Sequence, residues 1–372
     1  MRKLFRIYAV QCEHSAELEL PATDYELLDL MERLGLEPGQ SPYLAIQEHL
    51  NPDYSYDYLL GYIPNPPNLF QLNALAKKLS ELSRVEDMAA FEGLVGMEIK
   101  SGVLPVPVPR LIDFAHSTNC CHVAEDVDTD YKLGRFLAEN DFIPEAEGLS
   151  DAAFELLNFA KIGREHRERE GSVFTGFGYV EQHDPVMEVF KTLDLTPKTP
   201  NYTILAETFS GSRVEFPFPA NEPMGTEPVR CVDCAAPALI GLSGGMEAVD
   251  LLARRLAGLE PTALATYKAL LEVTECQDIQ DAGQLMDTLD EYIFSPQYSS
   301  PVEVAKGELS VVLCEEDAAT LLPHLNLYQY GQALIQKCGG AMTPYGLLEK
   351  KDAAPVISEQ DQQKLNGMEM NW

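Results

Sequence analysis

Cys231 and Cys234 stand two residues apart, the spacing of half a tetrahedral zinc site. Cys276, Cys314 and Cys338 are scattered and the first half of the chain has no matching pair, so the spacing predicts structural thiols rather than a metal. His116, Cys120, Cys121 and His122 lie close together, but neighbours along a strand point to opposite faces, which argues against a shared ion. Leu242-Ser243-Gly244-Gly245 ahead of a helical pattern could turn backbone N–H groups on an anion. It lacks a Walker lysine and the full dinucleotide glycine set, and predicts a helix-start loop. Gly176-x-Gly178 reads as a turn or bulge, and the mixed-sign run Arg164–Glu170 as an exposed, salt-bridged helix end. With seven His, no Ser/His/Asp spacing of a hydrolase is recognisable, and no carboxylate pair stands out for a glycosidase. These residues predict no catalytic group, no metal and no cofactor: a protein that is not an enzyme.

What remains is charge. The 372 residues carry 59 Asp+Glu against 27 Lys+Arg, a formal net charge of −32. The excess is spread evenly: −8 over residues 1–100, −9 over 101–200, −10 over 201–300 and −5 over 301–372. An acidic tail would concentrate it in one block. Apolar residues make up 45% of the chain, so the charge sits on a protein with real cores. This balance opposes direct nucleic-acid binding and points to a large basic partner surface. No apolar run approaches a membrane span, and Leu4–Val10 lacks the cleavage site of a signal peptide, so the expected location is cytoplasmic with no membrane partner.

The elements that must display this charge follow from periodicity and punctuation. Two strand-like runs, Phe5–Gln11 and Glu17–Leu20, lead to a helix over about 24–34, with Thr23 and Glu26 at capping-box spacing and Gly35 at the C-terminal stop. Tyr43, Tyr54, Tyr56, Tyr58 and Tyr62 read as strand or loop, either a sheet face or an aromatic platform toward a partner. Helices are predicted over 69–82, 84–99, 110–116, 130–138 and 150–162, with strands over 120–124 and 173–180. Strands, then helices, then a mixed unit predict an α+β fold.

The plan recurs. Phe5–Gln11 and Glu17–Leu20 match Tyr202–Glu207 and Arg213–Phe216, each pair closed by proline at 21 or 217. Leu72–Leu82 matches Val249–Leu259, Leu111-Ile112-Asp113 matches Leu285-Met286-Asp287, and Phe174–Glu181 matches Met342–Glu349. The order is preserved, which predicts two degenerate copies of one plan in an elongated tandem of small mixed domains. The expected bounds are an α+β domain at 1–63, a helical domain at 64–118 and a third α+β domain at 119–193. Copy two comprises a short β domain at 201–242, a helical domain at 243–290 and an α+β domain at 291–352, followed by a tail at 353–372.

Three stretches of the first copy, Glu19–Leu34, Asn68–Leu82 and Leu111–Glu139, resemble the ArdA-type antirestriction proteins of plasmids and conjugative elements. The best matches are the asparagine-led LA-x-x-L helix, the LID segment, the acidic turn and the LG-x-[FY] helix. The resemblance covers most of residues 1–145; the chain is about twice the length of a typical member. It implies an acidic DNA mimic, built of small domains in a row, that occupies the DNA-binding groove of type I restriction–modification enzymes through their methyltransferase core. Many members are dimers, and here the duplication leaves two assemblies open, a homodimer and an intrachain pseudo-dimer.

Carboxylates suit mimicry because they accept bidentate Arg and Lys contacts as phosphates do. At one charge per 1.7 Å of duplex axis, 32 charges match roughly 54 Å, about 16 base pairs. The expected mimic residues are Glu13, Glu17, Glu19, Asp53, Asp57, Glu125, Asp126, Asp128, Asp130, Glu145 and Glu147 in the first copy. In the second they are Asp287, Asp290, Glu291, Glu315, Glu316 and Asp317, with Asp278 and Asp281 nearby. The alternative partner is another basic DNA-handling protein for which this chain is an acidic scaffold or regulator.

Overall fold

The computed structural model describes residues 2–12, 14–37, 40–50, 59, 61–146, 148–219 and 223–356. Its strands are β1 Phe5–Gln11, β2 His14–Leu20, β3 Tyr43–His49, β4 Cys121–Glu125, β5 Val173–Thr175, β6 Gly178–Gln182, β7 Ile204–Thr208, β8 Arg213–Phe216, β9 Pro228–Cys234, β10 Ser243–Gly245, β11 Tyr292–Ser295, β12 Ala341–Thr343 and β13 Gly346–Lys350. Its α-helices are α1 Asp24–Arg33, α2 Leu69–Glu81, α3 Val85–Lys100, α4 Val108–His116, α5 Asp130–Glu139, α6 Asp151–Phe154, α7 Phe159–Glu170, α8 Met246–Ala257, α9 Pro261–Val273, α10 Ile279–Leu285, α11 Pro301–Val312, α12 Glu315–Leu321 and α13 Leu327–Cys338. Four small sheets, ordered β2-β1-β3, β4-β6-β5, β10-β9-β7-β8 and β11-β13-β12, stand among these helices: the fold is α+β.

The chain divides into two compact units. The first comprises residues 1–9, 17–22 and 41–196, and the second 10–16, 23–40 and 197–372. In the first unit, Asn68 caps α2 by accepting the N–H groups of Phe70 and Gln71, each at 3.1 Å. The buried face of α2, Leu69, Leu72, Leu75, Ala76 and Leu79, repeats at helical spacing. Helix α3 packs on the sheet β4-β6-β5, where a Cβ on Gly93 would strike Val180.

The expected helix over 150–162 is two helices. Ser150 caps α6, and Asn158 then caps α7 by accepting the Lys161 N–H at 3.1 Å, so the chain restarts there. Helix α7 runs on to Glu170, with Gly171 left-handed at φ +71°. The expected strand over 173–180 is the hairpin β5–β6, turned at Gly178.

In the second unit, β7, β8 and β9 bury Ile204, Ala206, Phe216, Val229, Cys231 and Cys234 against Val249, Leu252, Ala253 and Leu256 of α8. Burying such apolar side chains is the main favourable term in folding. Helix α1 belongs to this unit. Its capping box closes as the spacing predicts, Glu26 N–H to Thr23 Oγ1 at 3.1 Å and Thr23 N–H to Glu26 Oε2 at 2.8 Å. It is held by Lys268 of α9, whose ammonium lies 2.9 Å from Asp29 Oδ1 and 2.6 Å from Glu32 Oε2, and by Tyr345, which donates to Asp29 at 3.0 Å.

Several local arrangements occur once in each unit. Ala22 N–H donates to Asn73 Oδ1 of α2 at 2.6 Å, and Phe218 N–H to Asp250 Oδ1 of α8 at 2.5 Å; both donors follow a cis proline. Thr175 Oγ1 donates to Gly178 O at 3.1 Å, and Thr343 Oγ1 to Gly346 O at 2.8 Å. Gly163 of α7 lies against the Asp130 carbonyl and Gly331 of α13 against the Pro301 carbonyl, so a helix pair closes on glycine in both places. The LID pair does not match. Leu111, Ile112 and Asp113 lie within α4, whereas Leu285 ends α10, and Met286 and Asp287 start the 3-10 turn Met286–Glu291.

Candidate functional site: the carboxylate surface

The expected mimic residues fall into three groups. Glu125, Asp126, Asp290, Glu291 and Glu316 are exposed, and their side chains make no ion pair among the described residues. Glu125 ends β4, and Asp126 follows in a left-handed turn at φ +59°. Asp290 and Glu291 end the 3-10 turn before β11, and Glu316 lies on α12. Glu17 is also exposed, on β2.

A second group spends its charge at home. Asp130 opens α5 and takes Arg167 through both oxygens, at 2.8 and 3.4 Å, and Arg164 at 3.4 Å. The Arg167 guanidinium holds the Asp130 carboxyl below the usual carboxylate range. Asp128 pairs with Lys132 one turn on at 2.8 Å, Glu19 with Arg6 at 3.0 Å and Asp287 with Arg255 at 2.5 Å. Asp317 accepts from the Cys314 thiol at 3.2 Å. Asp278 is used as the cap of α10, accepting the N–H groups of Gln280 and Asp281, and Asp281 accepts the Gln277 N–H at 3.1 Å.

The third group falls outside what the structure describes, wholly or for the side chain. Glu13, Asp53, Asp57 and Glu147 lie outside the described residues, as do Tyr54, Tyr56, Tyr58 and most of the tail. Glu145 lies in the 3-10 turn Pro144–Ala146, and Glu315 opens α12.

Sequence reading missed other exposed carboxylates that make no ion pair among the described residues: Glu215, Glu227, Glu247, Glu260, Glu275 and Glu308. Apart from Glu275, three residues before Asp278, they stand away from the acidic clusters that drew the reading. The pattern of β8 could have found one of them, because alternation places Glu215 opposite the buried side of Phe216.

The thiols and imidazoles behave as core and surface groups. Cys231 and Cys234 are buried in the second unit's core, where the Cys234 thiol donates to Ala236 O at 2.9 Å. Burial pushes that thiol well above its ordinary pKa. Cys120 is buried while His122 is exposed and stacks on His183 with ring centroids 4.2 Å apart. Among the described residues, no three His, Cys, Asp or Glu side chains gather as a metal site. Gly244 belongs to the short strand β10, rather than a loop, and Gly245 is the N-cap of α8. Among the described residues, no helix is long and apolar enough to cross a membrane.

What this surface can do chemically is present many anionic, bidentate acceptors to guanidinium and ammonium groups. No protein-family model matches the chain, and no curated protein matches it.

Proposed function

We propose that this protein is an antirestriction protein: a stoichiometric inhibitor, not an enzyme, that occupies the DNA-binding groove of a type I restriction–modification enzyme in place of DNA. The observation that carries the reading is the uncompensated charge. The net charge is −32, and acidic side chains in both units stand exposed with no ion-pair partner among the described residues. A groove built to hold phosphates of any sequence reads charge and not base edges, so a decoy need supply only the former. Compartment and mechanism follow from the same reading: the protein acts in the cytoplasm, on the methyltransferase core.

The proposal includes a tandem origin, two degenerate copies of one plan. It is supported by the paired clamps of Asn73 and Asp250, the paired threonine turns at 175 and 343, and the paired glycine crossings at 163 and 331.

The test is binding of the full chain to a purified type I methyltransferase core, with duplex DNA as competitor, across a salt series. Competition with DNA and steep weakening between 50 and 500 mM salt, as expected for screened charges, support the reading. Simultaneous binding of chain and DNA refutes it.

A further inference from the structure

The second unit carries a groove of about 820 Å³ between β10 and the helices α8 and α10. That volume lies in the range of ligand-binding clefts. Strand β10 is the edge of its sheet, so one side of its short backbone has no strand partner among the described residues. Leu251 of α8 lines the groove and is 60% exposed. Gly245 and Gly283, also in the lining, face open space: an added Cβ would meet nothing within 4 Å. The walls carry Glu247, Asp278 and Asp287. The groove's one cation among the described residues, Arg255, is spent on Gly283 O at 2.9 Å and on Asp287.

We infer that this groove docks an extended basic segment of the partner protein. The segment's backbone extends the β10 edge, an aliphatic side chain covers Leu251, and Lys or Arg side chains reach Glu247 and the outer oxygen of Asp278. Charge complementarity selects that occupant. A second copy of a chain at −32, a nucleic acid or an anionic small molecule would each meet like charge on these walls. The inference rests on the reading that the partner is a basic DNA-handling protein. It adds a shaped contact to what would otherwise be attraction by field alone.

The test is fluorescence anisotropy of a labelled Arg-Leu-Arg-Leu-Arg peptide titrated with the full chain. Leu251→Arg and Gly283→Leu should weaken binding at least tenfold, and Glu247→Gln a few-fold. Glu165→Gln with Glu168→Gln, exposed on α7 and outside the groove, should leave it unchanged. Thermal melts verify that the variants fold; should Gly283→Leu fail to, Leu251→Arg decides, since that side chain is mostly in water. Equal affinity for all variants, or equal affinity for Arg-Gly-Arg-Gly-Arg, overturns the groove. Two further outcomes separate this inference from the antirestriction reading. If the methyltransferase core ignores the wild-type chain while the peptide docks in the groove, the reading falls and the groove stands. If the core binds but the peptide does not discriminate, the groove falls and the reading stands.

Discussion

Lys268 is the strongest single test of how the second unit is built. The residue is 5% exposed, and its ammonium faces two carboxylates, Asp29, also 5% exposed, at 2.9 Å and Glu32 at 2.6 Å. Replacing it with Met keeps the volume, so the loss is electrostatic: among the described residues Asp29 then keeps the Tyr345 hydroxyl, at 3.0 Å, as its hydrogen-bond donor. Removing one partner of a buried pair costs about 3–5 kcal/mol, and the remaining hydroxyl places Lys268→Met near about 3. For a unit of this size that lowers the midpoint of its thermal transition by roughly 6–12 °C. Asp29→Asn added to Lys268→Met removes the stranded charge and should restore at least half of the loss, a coupling that a double-mutant cycle reads directly.

The pH sign follows from the lysine. Burial lowers its pKa, but Asp29 and Glu32 outweigh burial and the net shift is upward. The pair's contribution is therefore complete below the ordinary lysine pKa of about 10.4 and is lost as pH rises through the higher folded value. The wild-type-minus-variant difference should be flat from pH 6 to 9. Calorimetry is the assay. A cost under about 1 kcal/mol, or no rescue by the double variant, refutes the argument that this ion pair holds α1 in place.

Gly163→Ala and Gly331→Ala should each destabilise by about 1–3 kcal/mol or more, because a Cβ would overlap the Asp130 or Pro301 carbonyl and push a helix pair apart; urea unfolding measures it. Asp130→Asn should be less stable than wild type at pH 7. Its carboxyl is held below the usual range by Arg167, so that contribution is present above the ordinary carboxylate pKa and is lost as pH falls through the folded value; melts in acid should converge. Neutralising Glu125, Asp126, Asp290, Glu291 and Glu316 to their amides should weaken binding to the methyltransferase core step by step. Each change should leave stability within about 0.5 kcal/mol, as competition binding and melts on the same samples will show.

Local structure was legible in the sequence wherever neighbours along the chain decide it. The Thr23–Glu26 box and the left-handed Gly35 at φ +62° are matters of adjacent residues, and they stand where spacing places them. The apolar period of 69–82 likewise located α2 to within a residue. The reading failed at 150–162 because Asn158 is a tolerable interior residue by composition and a restart only once its side chain finds the Lys161 N–H. At 173–180 the expected strand is split into a hairpin, and its turn stands at Gly176-x-Gly178, where the glycines read as a turn or bulge; Gly178 takes φ +141°, open to glycine.

For the candidate site, composition alone determined how much negative charge this chain carries, since formal charge depends only on the count of residue types. Tertiary structure decided which carboxylates remain available to a partner. Asp130 and Asp126 stand four residues apart in one acidic turn; the first is consumed by Arg167 from a helix 37 residues away, and the second is left in water. The same holds for α1, whose sequence specifies a helix and its buried stripe but not what covers it. A lysine 239 residues downstream does that, because burial brings side chains together by surface complementarity and charge, without regard to distance along the chain.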